Sequence, residues 1–136
     1  MIVVDATALT DYLLGRPEVS DAVDSEMASS GDRLMHAPEL VEAETMNALR
    51  GLMLGGKVSE RRALEAVDDL AFAPLISYPH APLRDRMWQL RHQLTAYDAA
   101  YLALAEGLDA TLMTADGGLA ARARKSIGAA RVRLLA

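Results

Sequence analysis

The spacing of apolar and polar residues changes character several times along the chain. Met1-Ile2-Val3-Val4 is an unbroken apolar run that stops at Asp5, the pattern of a short strand covered on both faces. Residues 6–14 return to helical spacing, and Gly15 ahead of Pro17 supplies a stop. Residues 17–30 form a second, more polar helical stretch closed by Gly31, and residues 33–37 predict a second strand. Pro38 stands where a helix accepts proline, at its first position, and opens a helix to about Leu54 that Gly55-Gly56 ends. Ser59 caps the next helix, to about Ala71, and residues 75–78 give a third strand. Pro82 opens a helix to about Leu94; Thr95 opens another to about Glu106, ended by Gly107. Residues 110–115 read as the fourth strand, residues 119–126 as a helix, and residues 131–135 as a final strand.

Strands that alternate with one or two helices imply right-handed crossovers and a parallel sheet between helical layers, an α/β fold. No repeat, low-complexity tract or Pro/Gly/Ser-rich linker divides the 136 residues, so residues 1–136 are expected to form a single domain. Without cysteine the chain has no disulfide scaffold, thiolate metal site or cysteine nucleophile. A net charge of −5 argues against a general binder of phosphate backbones, and 4% aromatic residues against a platform for stacking bases. No apolar run reaches membrane-spanning length and no basic leader precedes Asp5, so a soluble, cytoplasmic protein without membrane contact is expected.

Ligands of open α/β sheets lie beyond the carboxyl ends of the strands. Asp5 ends the first predicted strand and Asp116 the fourth. Thr114 and Asp116 are two apart and share one face of that strand. Asp98 opens a helix that is otherwise almost wholly apolar, with Tyr101, Leu102 and Ala105 at its helical neighbour positions, which puts it on a buried face. Glu44 lies early in the helix after Pro38, with Asn47 one turn on. Each acid alone has an ordinary structural explanation. Asp98 follows Thr95 at capping-box spacing, Asp5 could cap the helix after it, Asp116 suits a turn, and Glu44 could be solvated. Together they fall at strand ends and helix starts. Carboxylates gathered in an interior repel one another unless protons or cations neutralise them, and all-oxygen ligands select hard ions, Mg²⁺ or Mn²⁺. Such an ion polarises a phosphoryl oxygen and activates water, so no protein nucleophile is needed. Periodicity leaves Glu42 and Glu44 both open. Glu42 lies nearer the middle of the arc of Val41, Met46, Leu49 and Met53, and Glu44 at its edge.

Four blocks carry a family likeness: Val4-Asp5-Ala6-Thr7; Ala37-Pro38-Glu39-Leu40 through Glu44-Thr45-Met46-Asn47-Ala48-Leu49-Arg50; Leu94-Thr95-Ala96-Tyr97-Asp98-Ala99-Ala100-Tyr101; and Met113-Thr114-Ala115-Asp116. In order and spacing they resemble the PIN-domain family, and within it the VapC-type toxins of type II toxin–antitoxin systems, over essentially the whole chain. The resemblance implies a three-layer α/β/α sandwich around a mostly parallel sheet of four to five strands. It also implies an endoribonuclease dependent on Mg²⁺ or Mn²⁺, whose acidic quartet falls on Asp5, Glu44, Asp98 and Asp116. It selects Glu44 over Glu42 as the acid three residues before Asn47. Asp5 and Asp98 would be the main metal ligands, with Asp116 and Glu44 holding water or a second ion. Thr7 and Thr114 would orient the acids, and Asn47 would touch the site or the substrate. The implied partners are an RNA (tRNA, rRNA or mRNA), a cognate VapB-type antitoxin whose C-terminal segment covers the site, and a second copy in a homodimer. Family members often carry a basic or polar residue soon after the last acid, whereas Gly117-Gly118 follows Asp116 here and predicts a mobile loop.

The remaining features are secondary. His36, His80 and His92 share no metal-ligand spacing. Arg122, Arg124 and Lys125 form a basic cluster on the last helix that reads as a solvated face or a guide for RNA. The helices over residues 17–30 and 59–71 are candidates for an antitoxin groove. The competing functions are a haloacid-dehalogenase-like phosphatase, a response-regulator receiver and a non-catalytic PIN-like binding module. The phosphatase wants a second Asp where Thr7 stands, and the receiver wants an Asp at Ser77-Tyr78.

Overall fold

The computed structural model describes residues 1–128 and 131–135. Five strands, β1 (Ile2–Val4), β2 (Met35–Pro38), β3 (Leu75–Tyr78), β4 (Thr111–Thr114) and β5 (Val132–Leu134), form one sheet in the order β3-β2-β1-β4-β5. Every pairing is parallel. Helices α1 (Ala6–Leu13), α2 (Pro17–Ser29), α3 (Leu40–Leu54) and α4 (Glu60–Leu70) serve the steps from β1 to β2 to β3. Helices α5 (Arg84–Gln89), α6 (Ala96–Leu108) and α7 (Gly117–Ile127) serve the return to β4 and β5. Right-handed crossovers running first one way and then the other put α1–α4 on one face and α5–α7 on the opposite face. The result is the expected three-layer α/β/α sandwich.

The central strand β1 is apolar throughout because both of its faces are covered: Ile2, Val3 and Val4 are fully buried. Helix α6 is buried from Ala99 to Ala105 and packs on β1, β2 and β4, which explains why it reads as apolar all round. Helix α4, by contrast, buries only Ala63, Ala66 and Leu70 along one stripe, and Ser59 Oγ caps it by accepting the Arg62 N–H at 3.1 Å.

Four boundaries differ from the sequence expectation. Pro38 is the last residue of β2, paired with Tyr78 of β3, and the helix begins at Leu40. β2 pairs with β1 only at Met35 and His36, so the missing N–H of Pro38 interrupts no ladder on that side, while the next N–H, of Glu39, reaches the Tyr78 carbonyl at 2.8 Å. The helix expected from Pro82 to Leu94 is a 3₁₀ turn over Ala81–Leu83 followed by the short α5. Buried Leu90 and Leu94 pin the chain, and Thr95 needs extended backbone to cap α6, so the helix unwinds between them. Gly107 lies inside α6, which ends on Asp109 in the left-handed region at φ 53°, a conformation Asp tolerates. The last helix starts at Gly117 rather than Leu119.

Leu102 lies at the centre of the layer formed by α6 and is fully buried. Leu102→Ala is expected to lower unfolding free energy by about 2–5 kcal/mol in urea titrations. A loss below about 1 kcal/mol would contradict this packing.

Candidate active site

β1 and β4 are neighbours in the sheet, but the chain leaves them in opposite directions, through α1 and α7. That is a topological switch point, where helices on opposite faces part and open a crevice beyond the strand ends. Asp5 follows β1 and Asp116 follows β4, so both acids stand at the crevice and each is the N-cap of its helix. The capping role anticipated for Asp5 is therefore realised, Asp116 is a cap where a turn residue was expected, and the two caps aim the carboxylates.

Asp5 is 4% exposed and held on three sides. Its Oδ1 accepts from the Ala8 N–H at 2.9 Å and the Thr7 hydroxyl at 2.7 Å; its Oδ2 accepts from the Thr114 hydroxyl at 2.5 Å. The same hydroxyl oxygens accept in turn. Thr114 Oγ1 takes the Asp116 N–H at 2.9 Å, and Thr7 Oγ1 takes the Ala115 N–H at 2.9 Å. The two threonines thus stitch the end of β1 to the end of β4. Asp116 is exposed, and its Oδ1 accepts from the N–H groups of Gly118 (2.9 Å) and Leu119 (3.1 Å). This cap fixes the backbone of Gly117-Gly118 as the first turn of α7, in place of the mobile loop expected from the sequence.

Asp98 and Glu44 reach the crevice from the helices. Thr95 Oγ1 accepts the Asp98 N–H at 3.2 Å, but the Asp98 carboxylate does not complete a capping box. It turns to Arg122, whose Nη2 donates to Oδ2 at 3.2 Å. Asp98 is half-buried beside fully buried Leu102 and Ala105. Glu44 is half-buried whereas Glu42 is exposed, which separates the two acids that periodicity left open. Glu44 Oε1 accepts from the Tyr101 hydroxyl at 2.5 Å. The sequence pattern presents Tyr101 only as a helical neighbour of Asp98 on the buried face. The signal for it was available: a tyrosine in a buried helix needs a partner for its hydroxyl. Asn47 is exposed one turn after Glu44 and shares with it, Leu40, Ala43 and Tyr97 a hollow of about 310 Å³.

The electrostatics follow from burial. Desolvation pushes the Asp5 carboxyl above its ordinary range, the Thr114, Ala8 and Thr7 hydrogen bonds pull it back, and the charge of Asp116 pushes it up again. Tyr101 is held far above the ordinary phenol range by burial, then by its bond to Glu44 and by the charges of Glu44, Asp5 and Asp98. Its hydroxyl therefore stays protonated and remains a donor to Glu44 at any working pH. The two helical acids are each tied to an element that borders the crevice, Glu44 to α6 through Tyr101 and Asp98 to α7 through Arg122. Among the described residues, however, no three acidic or histidine side chains stand close enough to close on one cation. The donor chemistry fits a hard divalent ion, being carboxylate and hydroxyl oxygen throughout, and Asp5 is a buried carboxylate that no cation pairs with among the described residues.

A buried carboxyl with a raised pKa makes the fold most stable below the unfolded-state value, and that advantage is lost as pH rises through the raised value. Asp5→Asn is thus expected to raise the melting temperature at pH 7 in EDTA by a few degrees, with the gain shrinking to nothing near pH 3.5. A gain that is the same at both pH values would contradict the burial of this charge.

The PIN domain family profile matches residues 2–125. The chain is 42% identical over 120 residues to "Ribonuclease VapC1" of Mycobacterium tuberculosis strain H37Rv, covering 88% of each. It is 39% identical over 119 residues to "Ribonuclease VapC9" of the same strain, covering 85% of this chain and 86% of the other. Among solved structures it is similar to PAE2754 from Pyrobaculum aerophilum, with a TM-score of 0.65 and 25% identity over 89% of this chain and 78% of that one. A match of this extent, relatives this similar and a shared fold mean that the chain belongs to the PIN domain family, in its VapC branch.

Proposed function

We propose that this chain is the toxin of a type II toxin–antitoxin pair and acts as an endoribonuclease dependent on Mg²⁺ or Mn²⁺. The observation that carries the reading is the switch-point crevice, where the Asp5 carboxylate and the Asp116 N–H share the hydroxyl of Thr114, Glu44 accepts from Tyr101, and Asp98 pairs with Arg122 of α7. Relatives named ribonucleases support the substrate class.

Asp5 and Asp98 would be the principal ligands of the cation, with Asp116 and Glu44 orienting water or holding a second ion. When bound, the cation supplies charge neutralisation at the phosphoryl group and a lowered pKa for water. The protein's own contribution is orientation. Thr7, Thr114 and the Ala8 N–H hold the Asp5 carboxylate in one rotamer, so it need not be ordered when substrate arrives. The α7 cap occupies Oδ1 of Asp116, leaving Oδ2 outside the cap. The protonated Tyr101 hydroxyl keeps Glu44 turned into the crevice. The starts of α1, α6 and α7 carry these acids, and the positive ends of those helices favour a phosphate there. Asn47, exposed beside Glu44, would contact the RNA.

The partner is a VapB-type antitoxin. Its groove was expected to involve the helices over residues 17–30 and 59–71. A hollow of about 430 Å³ touches both segments, lined by Tyr12, Ser20, Asp24, Asp69 and Phe72, and another of about 290 Å³ lies between α3 and α4, lined by Met46, Met53, Leu64 and Val67 with Arg50 and Glu60. The homodimer belongs to the same proposal. Among the described residues no helix is long and apolar enough to cross a membrane.

Purified protein incubated with single-stranded RNA is expected to cleave it in Mg²⁺ or Mn²⁺ and to stop in EDTA. Asp5→Asn and Asp116→Asn should each slow cleavage by roughly a hundredfold or more, while Glu42→Gln stays near the parent rate. Cleavage by Asp5→Asn at the parent rate would defeat the proposal.

A further inference from the structure

Arg122 is the one cation that pairs with a member of the quartet among the described residues. It belongs to a basic run on α7 that the sequence alone left as either a solvated face or a guide for RNA, and its side chain is 44% exposed. Its course is nevertheless constrained. Residue 122 lies one turn after residue 118 on the same face of α7, and position 118 is glycine. A Cβ there would stand 3.1 Å from Arg122 Nη1 and 3.2 Å from Asp116 Oδ1. The guanidinium therefore lies back over bare backbone, beside the last acid, and its other nitrogen reaches Asp98 across the crevice. Gly118 is not needed for its backbone angles, which are those of ordinary helix. Its use here is the room it leaves.

We propose that Arg122 is a positioning residue that exchanges Asp98 for a phosphate of the RNA. Without a divalent ion it neutralises Asp98. A divalent ion binding to the same carboxylate displaces it, and the guanidinium, still confined over Gly118 at the rim of the crevice, then receives a phosphate oxygen adjoining the scissile bond. Guanidinium suits both partners, since its planar donors match carboxylate and phosphate alike. No covalent step is assigned to it. The inference rests on the metal-dependent reading above, because it requires an ion that uses Asp98.

The two roles pull measurable quantities in opposite directions. Arg122→Gln removes the competitor for Asp98, so Mn²⁺ titrated calorimetrically into RNA-free protein should bind about two- to fivefold more tightly, the scale of a partly exposed ion pair. In the same variant the KM for a mixed-sequence single-stranded RNA should rise roughly three- to tenfold, with a smaller change in kcat. Loss of fold would weaken both. Gly118→Ala is the second variant: its methyl group meets Arg122 Nη1 at 3.1 Å and the Asp116 cap oxygen at 3.2 Å, so it pushes the long arginine side chain away from Asp98 while the short cap gives by a few tenths of an ångström, and Mn²⁺ affinity should rise as in Arg122→Gln although the positive charge is retained. Unchanged or weaker Mn²⁺ binding in Arg122→Gln, or an unchanged KM, overturns the inference while leaving the metal-dependent nuclease standing. Parent protein that binds no Mn²⁺ and cleaves no RNA overturns both.

Discussion

The structure depends on a carboxylate kept out of water. Asp5 closes a strand whose every side chain is buried, and its own side chain is almost as inaccessible. An ion in that place is costly unless its oxygens are met by donors. Here the donors are two hydroxyls and a helix N–H, and two of the three come from residues that also fasten the neighbouring strand end. The cost of burying the charge and the geometry of the crevice are therefore one problem with one solution.

The order of the strands makes that solution possible. With β1 between β2 and β4, the chain departs to one side through α1 and returns on the other through α6 before continuing into α7. Three helix starts are brought around a single gap, and each bears an acid in or just before its first turn. An acid at a helix start is favourable locally because it meets unpaired N–H groups and the positive end of the dipole. Local stability and the assembly of a polyanionic crevice thus favour the same residues at the same positions.

Much of this was legible in the amino-acid order. The unbroken apolar run before Asp5, the helix that is apolar all round after Thr95 and the Ser59 cap translate directly into β1, α6 and the start of α4, because burial and capping are local signals. At Pro38 and Leu90 a tertiary requirement overrode a local preference, and at Gly117 one local signal, the Asp116 cap, overrode another. Pro38 suits a helix start but is captured by β3. The segment after Pro82 is helical by pattern but must reach two buried leucines and then extend for a cap. Gly117-Gly118 suggests flexibility but is fixed by the side chain of the residue before it. The likeness of the four blocks singled out Glu44; in the fold Glu44 meets the hydroxyl of Tyr101 while Glu42 is exposed. The pairing itself, between residues 57 positions apart, could not be read from either helix alone.

The threonine stitching has a mechanical corollary. Asp5 and Asp116 ride on adjacent strands whose ends are bolted together by two hydroxyls, so that side of the crevice behaves as an anvil. Glu44 and Asp98 are carried by helices α3 and α6 and are restrained by one phenol and one guanidinium, each at the tip of a long side chain. The cross-strand stitching therefore fixes the spacing of the first pair, while the spacing between the two pairs is left to the packing of α3 and α6 against the sheet.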